Sequence, residues 1–164
     1  MFDESYWVAY RNVNEKFALK TIDAITRMQK VSQILDILNV TCHHQNMLQD
    51  PENVPIIWIH DYHLMLAATT IRSMAEERDI PCKIGFFLHI PFPPWDMIKI
   101  FPWHDLILQG VLGCDLVGFQ ISDYCLNFID SCGRGLGCRV DREALLVEHG
   151  GRNVAGCFAL SNFP

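Results

Sequence analysis

Residues 55–62 read PIIWIHDY, and this apolar run that ends in polar side chains decides the predicted fold. Residues 56–59 are continuously apolar and lie between Pro55 and His60. A short run without alternation and with such boundaries is typical of a strand that is buried on both faces. We therefore predict one strand of a covered sheet here.

Runs of the same kind recur further along the chain, and helical patterns separate them. Residues 84–88 and 115–119 are the second and third predicted strands. A strand and a helix that alternate in this way form a parallel sheet covered by helices, so the fold class is α/β. The predicted helices are residues 5–38, 64–78, 95–112 (one helix or two) and 122–136, with Ser122 as the cap of the last.

Further segments flank this alternating core. Polar residues and two prolines predict a loop at residues 41–55. Gly150 and Gly151 predict the turn of a β-hairpin between residues 145–148 and 153–155. One apolar face is predicted for the first helix, because its apolar residues recur at steps of three or four: Tyr6, Tyr10, Val13, Phe17, Ile25 and Met28.

Composition and charge favour a folded globular protein and exclude some partners. Of the 164 residues, 50% are hydrophobic and 20% are charged, which is enough to form the core of one domain. The net charge of −6 argues against a nucleic acid or an anionic membrane as partner. No apolar run approaches the roughly 18–20 residues of a membrane span, and residues 1–4 lack a signal-peptide pattern, so we expect a soluble, cytoplasmic protein. The seven cysteines favour reduced thiols over a disulfide framework, because their number is odd and no C-x-x-C pair occurs.

Each of the three predicted strands ends in side chains that can bind a ligand. His60, Asp61 and Tyr62 come after the first strand, His89 after the second and Gln120 after the third. Because ligands bind beyond the carboxyl ends of parallel strands, we expect a binding rim there. Asp61 can accept hydrogen bonds from sugar hydroxyls, and Tyr62 and His89 can donate to hydroxyl or phosphate oxygens. The alternatives are that Asp61 only caps the helix that opens near Tyr62 and that His89 is a structural histidine.

Other kinds of site have less support in the sequence. His60 and His63 flank Asp61, but their spacing differs from that of helical metalloprotease ligands and no cysteine is near, so no metal site is predicted. Residues 133–137 contain three glycines at the end of a helical pattern, which indicates a helix stop and not a phosphate loop. Four aromatic residues around the proline turn are interpreted as packing of the covering helix: Phe92, Trp95, Phe101 and Trp103.

Three segments carry a resemblance to a known family. IWIHDYHL at residues 57–64 resembles the W-[IV]-H-D-Y-H-L signature of trehalose-6-phosphate synthases. GFFLHIPFP at residues 85–93 resembles their second signature, and DLVGFQ at residues 115–120 is similar to the third, D-L-[IVL]-G-F-[QH]. The order and spacing also fit, and the likeness is greatest to animal-type members of this family, glycosyltransferase family 20.

The resemblance implies a GT-B fold, in which two Rossmann-like domains enclose the active site. Members of the family transfer glucose from UDP-glucose to glucose-6-phosphate with retention, giving trehalose 6-phosphate and UDP, with no required metal or other cofactor. By this resemblance, Asp61 and Tyr62 bind the acceptor glucose-6-phosphate, and His89 and Gln120 belong to the UDP-glucose side. Asp61 is then an acceptor-positioning residue, because the family has no clear carboxylate nucleophile.

The resemblance also implies that residues 1–164 are a partial N-terminal, acceptor-side Rossmann-like domain, without the second domain. A segment with a glycine-rich donor loop is expected before Tyr6, and residues 158–164 fit the family pattern poorly. We therefore expect the chain to be inactive alone. The alternative is a non-catalytic truncated isoform that binds sugar phosphate, or that associates with itself or with a full-length synthase through an unpaired sheet edge.

Overall fold

The computed structural model describes residues 3–37, 54–154 and 157–159, which form two sheets and their covering helices. The elements are, in chain order, α1 Glu4–Ile37, β1 Ile56–His60, a 3-10 helix Tyr62–Leu64, α2 Ala67–Glu77, β2 Lys83–Phe87, α3 Trp95–Ile98, α4 His104–Val111, β3 Leu116–Phe119, α5 Ser122–Leu136, β4 Arg139–Asp141, β5 Leu146–His149, β6 Arg152–Val154 and β7 Cys157–Ala159.

The main sheet is parallel and has the strand order β1-β2-β3-β7. Ile57 pairs with Ile84 across the first strand pair, and Phe86 pairs with Val117 across the second. Helices lie between the successive strands, so the predicted α/β class and the three predicted strands are confirmed. The fourth strand, β7, was not predicted, because three residues are too few to establish a periodicity.

The prediction that β1 is buried on both faces is wrong. Ile56 is 74% exposed and Trp58 is 44% exposed, whereas Ile59 is buried. β1 is the outermost strand among the described strands of this sheet, and Trp58 itself lies over Gly85 of β2. On the face of the sheet that carries Ile56 and Trp58, the Trp58 side chain covers β2, and no described helix covers these two side chains in turn.

The apolar face predicted for α1 is also wrong for most of its length. Tyr6, Val13, Phe17 and Met28 are exposed. α1 packs against α2 and the 3-10 helix with a different face. This face is rotated by about 100°, the angle of one residue, from the predicted apolar face. The packed face consists of Trp7, Asn14, Ala18, Ile22 and Ile25.

The helix predicted at residues 64–78 is divided in the structure, because Leu64 belongs to the 3-10 helix and α2 begins at Ala67. The remaining element predictions within the described residues agree in type with the structure, and one predicted cap differs. The glycine-rich end of α5 is a helix stop, with Gly137 in the left-handed conformation at φ 67°. Ser122 is the first residue of α5 and not its cap, which is Ile121 without a side-chain bond. The hairpin forms from β5 and β6 with Gly150 and Gly151 at positive φ. Most of the predicted loop at residues 41–55 lies outside the described residues.

The cysteines lie mostly in the core. Cys42 is outside the described ranges, and of the other six none forms a disulfide. Cys138 is half-buried, and the other five are buried: Cys82, Cys114, Cys125, Cys132 and Cys157. Within the described ranges, no helix has both the length and the hydropathy that crossing a membrane requires.

Candidate functional site

The carboxyl ends of the first three strands meet at one edge of the parallel sheet. The backbone N–H of Asp61 donates to the carbonyl of Phe87 at 2.8 Å, and that of Leu88 donates to the carbonyl of Gly118 at 3.0 Å. These bonds continue the sheet beyond its last paired residues. As a result, the polar residues that follow the strands lie side by side on one rim, as parallel strands require.

His60, His89 and Gln120 are in contact on this rim. Nδ1 of His60 lies 3.1 Å from Nε2 of His89, and the Gln120 amide donates to the His89 carbonyl at 2.9 Å. The Phe87 ring packs against the His89 ring at a centroid distance of 4.8 Å. His89 is exposed, so part of its ring is accessible from solvent.

Asp61 combines a capping role with an unusual backbone conformation. Its Oδ1 accepts a hydrogen bond from the N–H of Tyr62 at 3.0 Å, so it caps the 3-10 helix, as the alternative interpretation proposed. Its backbone lies at φ 65° and ψ 176°, a region that only glycine normally occupies. A carboxylate has two oxygens with several acceptor positions, so capping does not prevent it from binding a ligand. Strain of this kind concentrates at ligand-binding sites.

Tyr62 and His63 extend the rim towards α1. Tyr62 is 47% exposed, and its ring stacks on that of His63 at a centroid distance of 4.1 Å. The phenol hydroxyl can both donate and accept hydrogen bonds. Tyr62 therefore adds, next to Asp61 in the chain, a group that can donate and accept hydrogen bonds.

Tyr10 of α1 makes hydrogen bonds to the backbone on both sides of the 3-10 helix. The Tyr10 hydroxyl donates to the carbonyl of Tyr62 at 2.6 Å and accepts from the N–H of Met65 at 3.1 Å. Burial raises the pKa of the Tyr10 phenol, so the hydroxyl keeps its proton at neutral pH and can make both bonds. Tyr10 thus satisfies backbone groups on both sides of the 3-10 helix.

Asn14, one turn further along α1, makes the second attachment. Its side-chain amide donates to the carbonyl of His63 at 3.1 Å, and its Oδ1 accepts from the N–H of Leu66 at 3.0 Å. Asn14 is 1% exposed, so these bonds form in a dry environment. The sequence patterns did not predict that Asn14 attaches α1 to the 3-10 helix. The signal for it was a polar residue on the same helix face as the apolar residues Trp7 and Ala18.

An apolar cavity of about 630 Å³ opens beside the rim. Trp7 and Trp103 stack at a centroid distance of 4.8 Å in its wall, and the buried Phe92 also lines it. The predicted packing role of the aromatic residues around the proline turn is confirmed. Other lining residues are Tyr6, Tyr10, Tyr62, Leu88, Ile90 and Phe101.

The arrangement does not resemble a metal centre. Across residues 3–37, 54–154 and 157–159, no three His, Cys, Asp or Glu side chains gather in a way that could hold a metal ion. His60 is paired with His89, and His63 stacks on Tyr62, so the two histidines that flank Asp61 do not converge on it. The rim is instead suited to hydrogen bonding with hydroxyl and phosphate oxygens.

Sequence comparisons relate the chain to enzymes of trehalose metabolism. Residues 42–158 match the family model of glycosyltransferase family 20. The chain is 40% identical over 150 residues to a bifunctional trehalose-6-phosphate synthase/phosphatase of Thermoproteus tenax, and 35% identical over 164 residues to the UDP-forming alpha,alpha-trehalose-phosphate synthase of Schizosaccharomyces pombe. These alignments cover 90% and 99% of the chain but 16% and 26% of the relatives.

Solved structures give the same relation. The N-terminal domain of Candida albicans trehalose-6-phosphate phosphatase superposes with a TM-score of 0.69 at 30% identity, covering 96% of this chain and 26% of that one. A trehalose-6-phosphate structure from E. coli bound with UDP-2-fluoro glucose gives 0.66 at 28% identity, covering 96% and 28%. The UDP-forming synthase of Burkholderia xenovorans in complex with glucose-6-phosphate gives 0.66 at 26% identity, covering 97% and 28%. The chain therefore spans about a quarter of the length of these proteins.

Proposed function

Because the chain belongs to glycosyltransferase family 20, we propose that it forms part of a trehalose-6-phosphate synthase. Its parallel sheet and covering helices have the arrangement of the GT-B domains of trehalose-phosphate synthases. In the proposed reaction, a hydroxyl oxygen of glucose-6-phosphate forms a bond to C1 of the donor glucose. The bond from C1 to the diphosphate breaks, and UDP leaves with the help of the acceptor proton. The meeting of Asp61, Tyr62, His89 and Gln120 on one rim is the observation that supports this function most strongly.

Asp61 and Tyr62 are proposed to bind the acceptor. The Asp61 carboxylate is held by its own cap and by a strained backbone, so its direction is set before a sugar arrives. It can accept hydrogen bonds from sugar hydroxyls, and the exposed Tyr62 hydroxyl can donate to a phosphate or hydroxyl oxygen. Together they would orient glucose-6-phosphate without forming a covalent bond to it.

His89 and Gln120 are proposed to serve the donor side. His89 is exposed on the rim and can donate a hydrogen bond to an oxygen of UDP-glucose. Gln120 holds the backbone of His89 through its amide, so its contribution reaches the donor through the position of His89. Neither residue is required as a nucleophile in this proposal.

Residues 1–164 are proposed to be part of the N-terminal, acceptor-side domain. In a GT-B enzyme the other domain supplies the basic groups that stabilise the leaving diphosphate, and electrostatic stabilisation of this kind usually contributes most to catalysis. The 164-residue chain is therefore expected to form no measurable trehalose 6-phosphate alone. Substantial product from the purified chain would contradict this assignment.

A chimera tests the proposed function. Residues 1–164 replace the matching segment of the S. pombe synthase, and the purified chimera receives UDP-glucose and glucose-6-phosphate. We expect trehalose 6-phosphate and UDP in equal amounts, measured by mass spectrometry.

Asp61→Asn keeps the cap but removes the charge, and it should lower the rate of the chimera about ten- to hundredfold, as the loss of a charged hydrogen bond does. A folded chimera without product would count against the function.

A non-catalytic role is the second candidate, and the exposure of β1 favours it. β1 is the outermost of the described strands of the main sheet, and its residues Ile56 and Trp58 are exposed. Such an edge can pair with another chain. The likeness to the N-terminal domain of a phosphatase also indicates that this fold is present in proteins that are not named as synthases. In this alternative, the chain associates with a full-length synthase and binds sugar phosphate without turnover.

A further inference from the structure

The contact between His60 and His89 constrains where their protons lie. The two rings approach through Nδ1 of His60 and Nε2 of His89, which are 3.1 Å apart. A hydrogen bond between two imidazole nitrogens requires that one of them carries a proton and the other does not. Each neutral ring carries one proton, so the direction of this single bond fixes the tautomers of both rings.

Only one of the two directions leaves His89 able to donate to a ligand. If His89 donates from Nε2, its only proton is used within the pair and its Nδ1 can only accept. If His60 donates from Nδ1, the proton of His89 lies on Nδ1 and is available to an oxygen atom of a bound sugar or phosphate. Phe87 packs against the His89 ring, and Trp58 lies at a centroid distance of 6.2 Å from the His60 ring, so neighbours restrict both rings.

We propose that His60 is a positioning residue for His89: its Nδ1–H donates to Nε2 of His89, which orients that ring and keeps its proton on Nδ1 for the ligand. The need for a donor on His89 rests on the proposed function, whereas the contact between the rings does not. His60 itself needs no contact with the substrate. Its role is comparable to that of a group which holds a catalytic or ligating histidine in one tautomer through its second nitrogen.

The tautomers can be read directly by NMR on the 164-residue chain. With ¹⁵N-labelled histidine, two-bond ¹H–¹⁵N spectra distinguish rings protonated at Nδ1 from rings protonated at Nε2. His104 provides an internal reference, because its Nδ1 lies 2.8 Å from the carbonyl of Phe101 and a carbonyl can only accept. We expect both His60 and His89 to give the Nδ1–H pattern of His104 at neutral pH.

Variants of His60 then separate positioning from simple packing. His60→Ala should return His89 to the Nε2–H form, while His60→Asn, whose amide can donate from nearly the same place, should keep the Nδ1–H form. His63→Ala is the matched control, because His63 stacks on Tyr62 and should leave the tautomer of His89 unchanged. A wild-type His89 protonated at Nε2, or a tautomer that His60→Ala does not change, would overturn the proposal.

The same variants in the chimera add a kinetic readout. His60→Ala should raise KM for UDP-glucose about three- to tenfold, the usual effect of losing one neutral hydrogen bond, and His60→Asn should restore it. The NMR measurement uses no ligand, so it is independent of catalysis. An inactive chimera would therefore contradict the proposed function and leave the His60 result standing, whereas the wrong tautomer in an active chimera would contradict only the role of His60.

Discussion

At the scale of single residues, Asp61 stands out because its backbone and its side chain have conflicting preferences. At φ 65° and ψ 176° a glycine would be relaxed, whereas any other residue is strained by about 1–3 kcal/mol. The strain persists because the strand before Asp61 and the 3-10 helix after it are both fixed by hydrogen bonds.

This conflict predicts an unusual order of stabilities. Asp61→Ala loses the cap and keeps the strain, whereas Asp61→Gly loses the cap and relieves the strain. We expect the glycine variant to be about 1 kcal/mol more stable than the alanine variant in urea unfolding. Asp61→Asn keeps the cap and the same backbone strain as aspartate, so its stability should stay close to that of wild type. An alanine variant as stable as the glycine variant would contradict the strain.

Asp115 is the second residue with an effect beyond its own position. Its Oδ2 accepts from Arg72 at 2.6 Å and from the backbone N–H of Ile84 at 2.7 Å. Arg72 in turn donates to the carbonyls of Gly113 and Cys82. This group of bonds fixes the start of β2 to α2 and to the segment before β3.

Removing the Asp115 carboxylate should therefore be costly. Asp115→Ala leaves the Ile84 N–H without its acceptor and the half-buried Arg72 without its carboxylate partner, and we expect a loss of about 2–3 kcal/mol in the free energy of unfolding. Asp115→Asn can still accept from Ile84 and should cost less. The exposed surface pair of Asp96 and Lys99 is the control, because Asp96→Asn should leave stability unchanged within error. Equal effects of the Asp96 and Asp115 substitutions would be inconsistent with this role.

At the scale of elements, the side chains of Tyr10 and Asn14 attach α1 to the 3-10 helix through hydrogen bonds. Tyr10→Phe removes the acceptor of the Met65 N–H, and Asn14→Ala removes the acceptor of the Leu66 N–H. We expect hydrogen exchange of these two amides to accelerate at least tenfold in the respective variants, which corresponds to about 1.4 kcal/mol. The amide of Phe86 in the core of the sheet is the control and should change less. A uniform acceleration would indicate global destabilisation instead.

Two glycine substitutions should change stability in opposite directions, because Gly113 lies against the backbone of α2 whereas Gly133 has space around it. A Cβ on Gly113, which follows α4, would lie 2.4 Å from the backbone nitrogen of Thr69. Gly113→Ala should therefore destabilise by about 1–3 kcal/mol or more, since backbone must move. A Cβ on Gly133 in α5 would meet nothing closer than 3.6 Å, so Gly133→Ala should stabilise by about 0.5–1 kcal/mol. Thermal unfolding of both variants tests the pair, and shifts of the same sign would contradict it.

At the scale of the whole molecule, the position of β1 as the outermost of the described strands of the main sheet predicts concentration-dependent association. Ile56→Lys places a charge beside the edge at a residue that is 74% exposed, so the fold should be unaffected. We expect wild-type chain to self-associate in analytical ultracentrifugation and the variant to be mainly monomeric. Met97→Lys changes another exposed apolar residue, on α3, and should associate like wild type. A monodisperse wild-type chain would contradict the prediction.

Much of this architecture could be predicted because parallel strands obey simple rules. Continuous apolar runs located β1, β2 and β3, and the common edge at which such strands end predicted that His60, His89 and Gln120 would be neighbours. The buried face of α1 could not be predicted in this way, since two apolar stripes lie next to each other on it and only tertiary packing selects one. The positive φ of Asp61 has no local sequence signal either, because it arises from contacts on both sides.

The strand order of the main sheet has a consequence for how the protein is made. β1, β2, β3 and β7 lie next to one another in the order in which they are synthesised, so none of these four described strands has to insert between two that are already paired. Each strand can therefore dock on the last completed edge as the ribosome releases it, at about 5–20 residues per second. The sheet can grow vectorially, and the His60 and Asp61 corner of the rim is synthesised before His89 and Gln120.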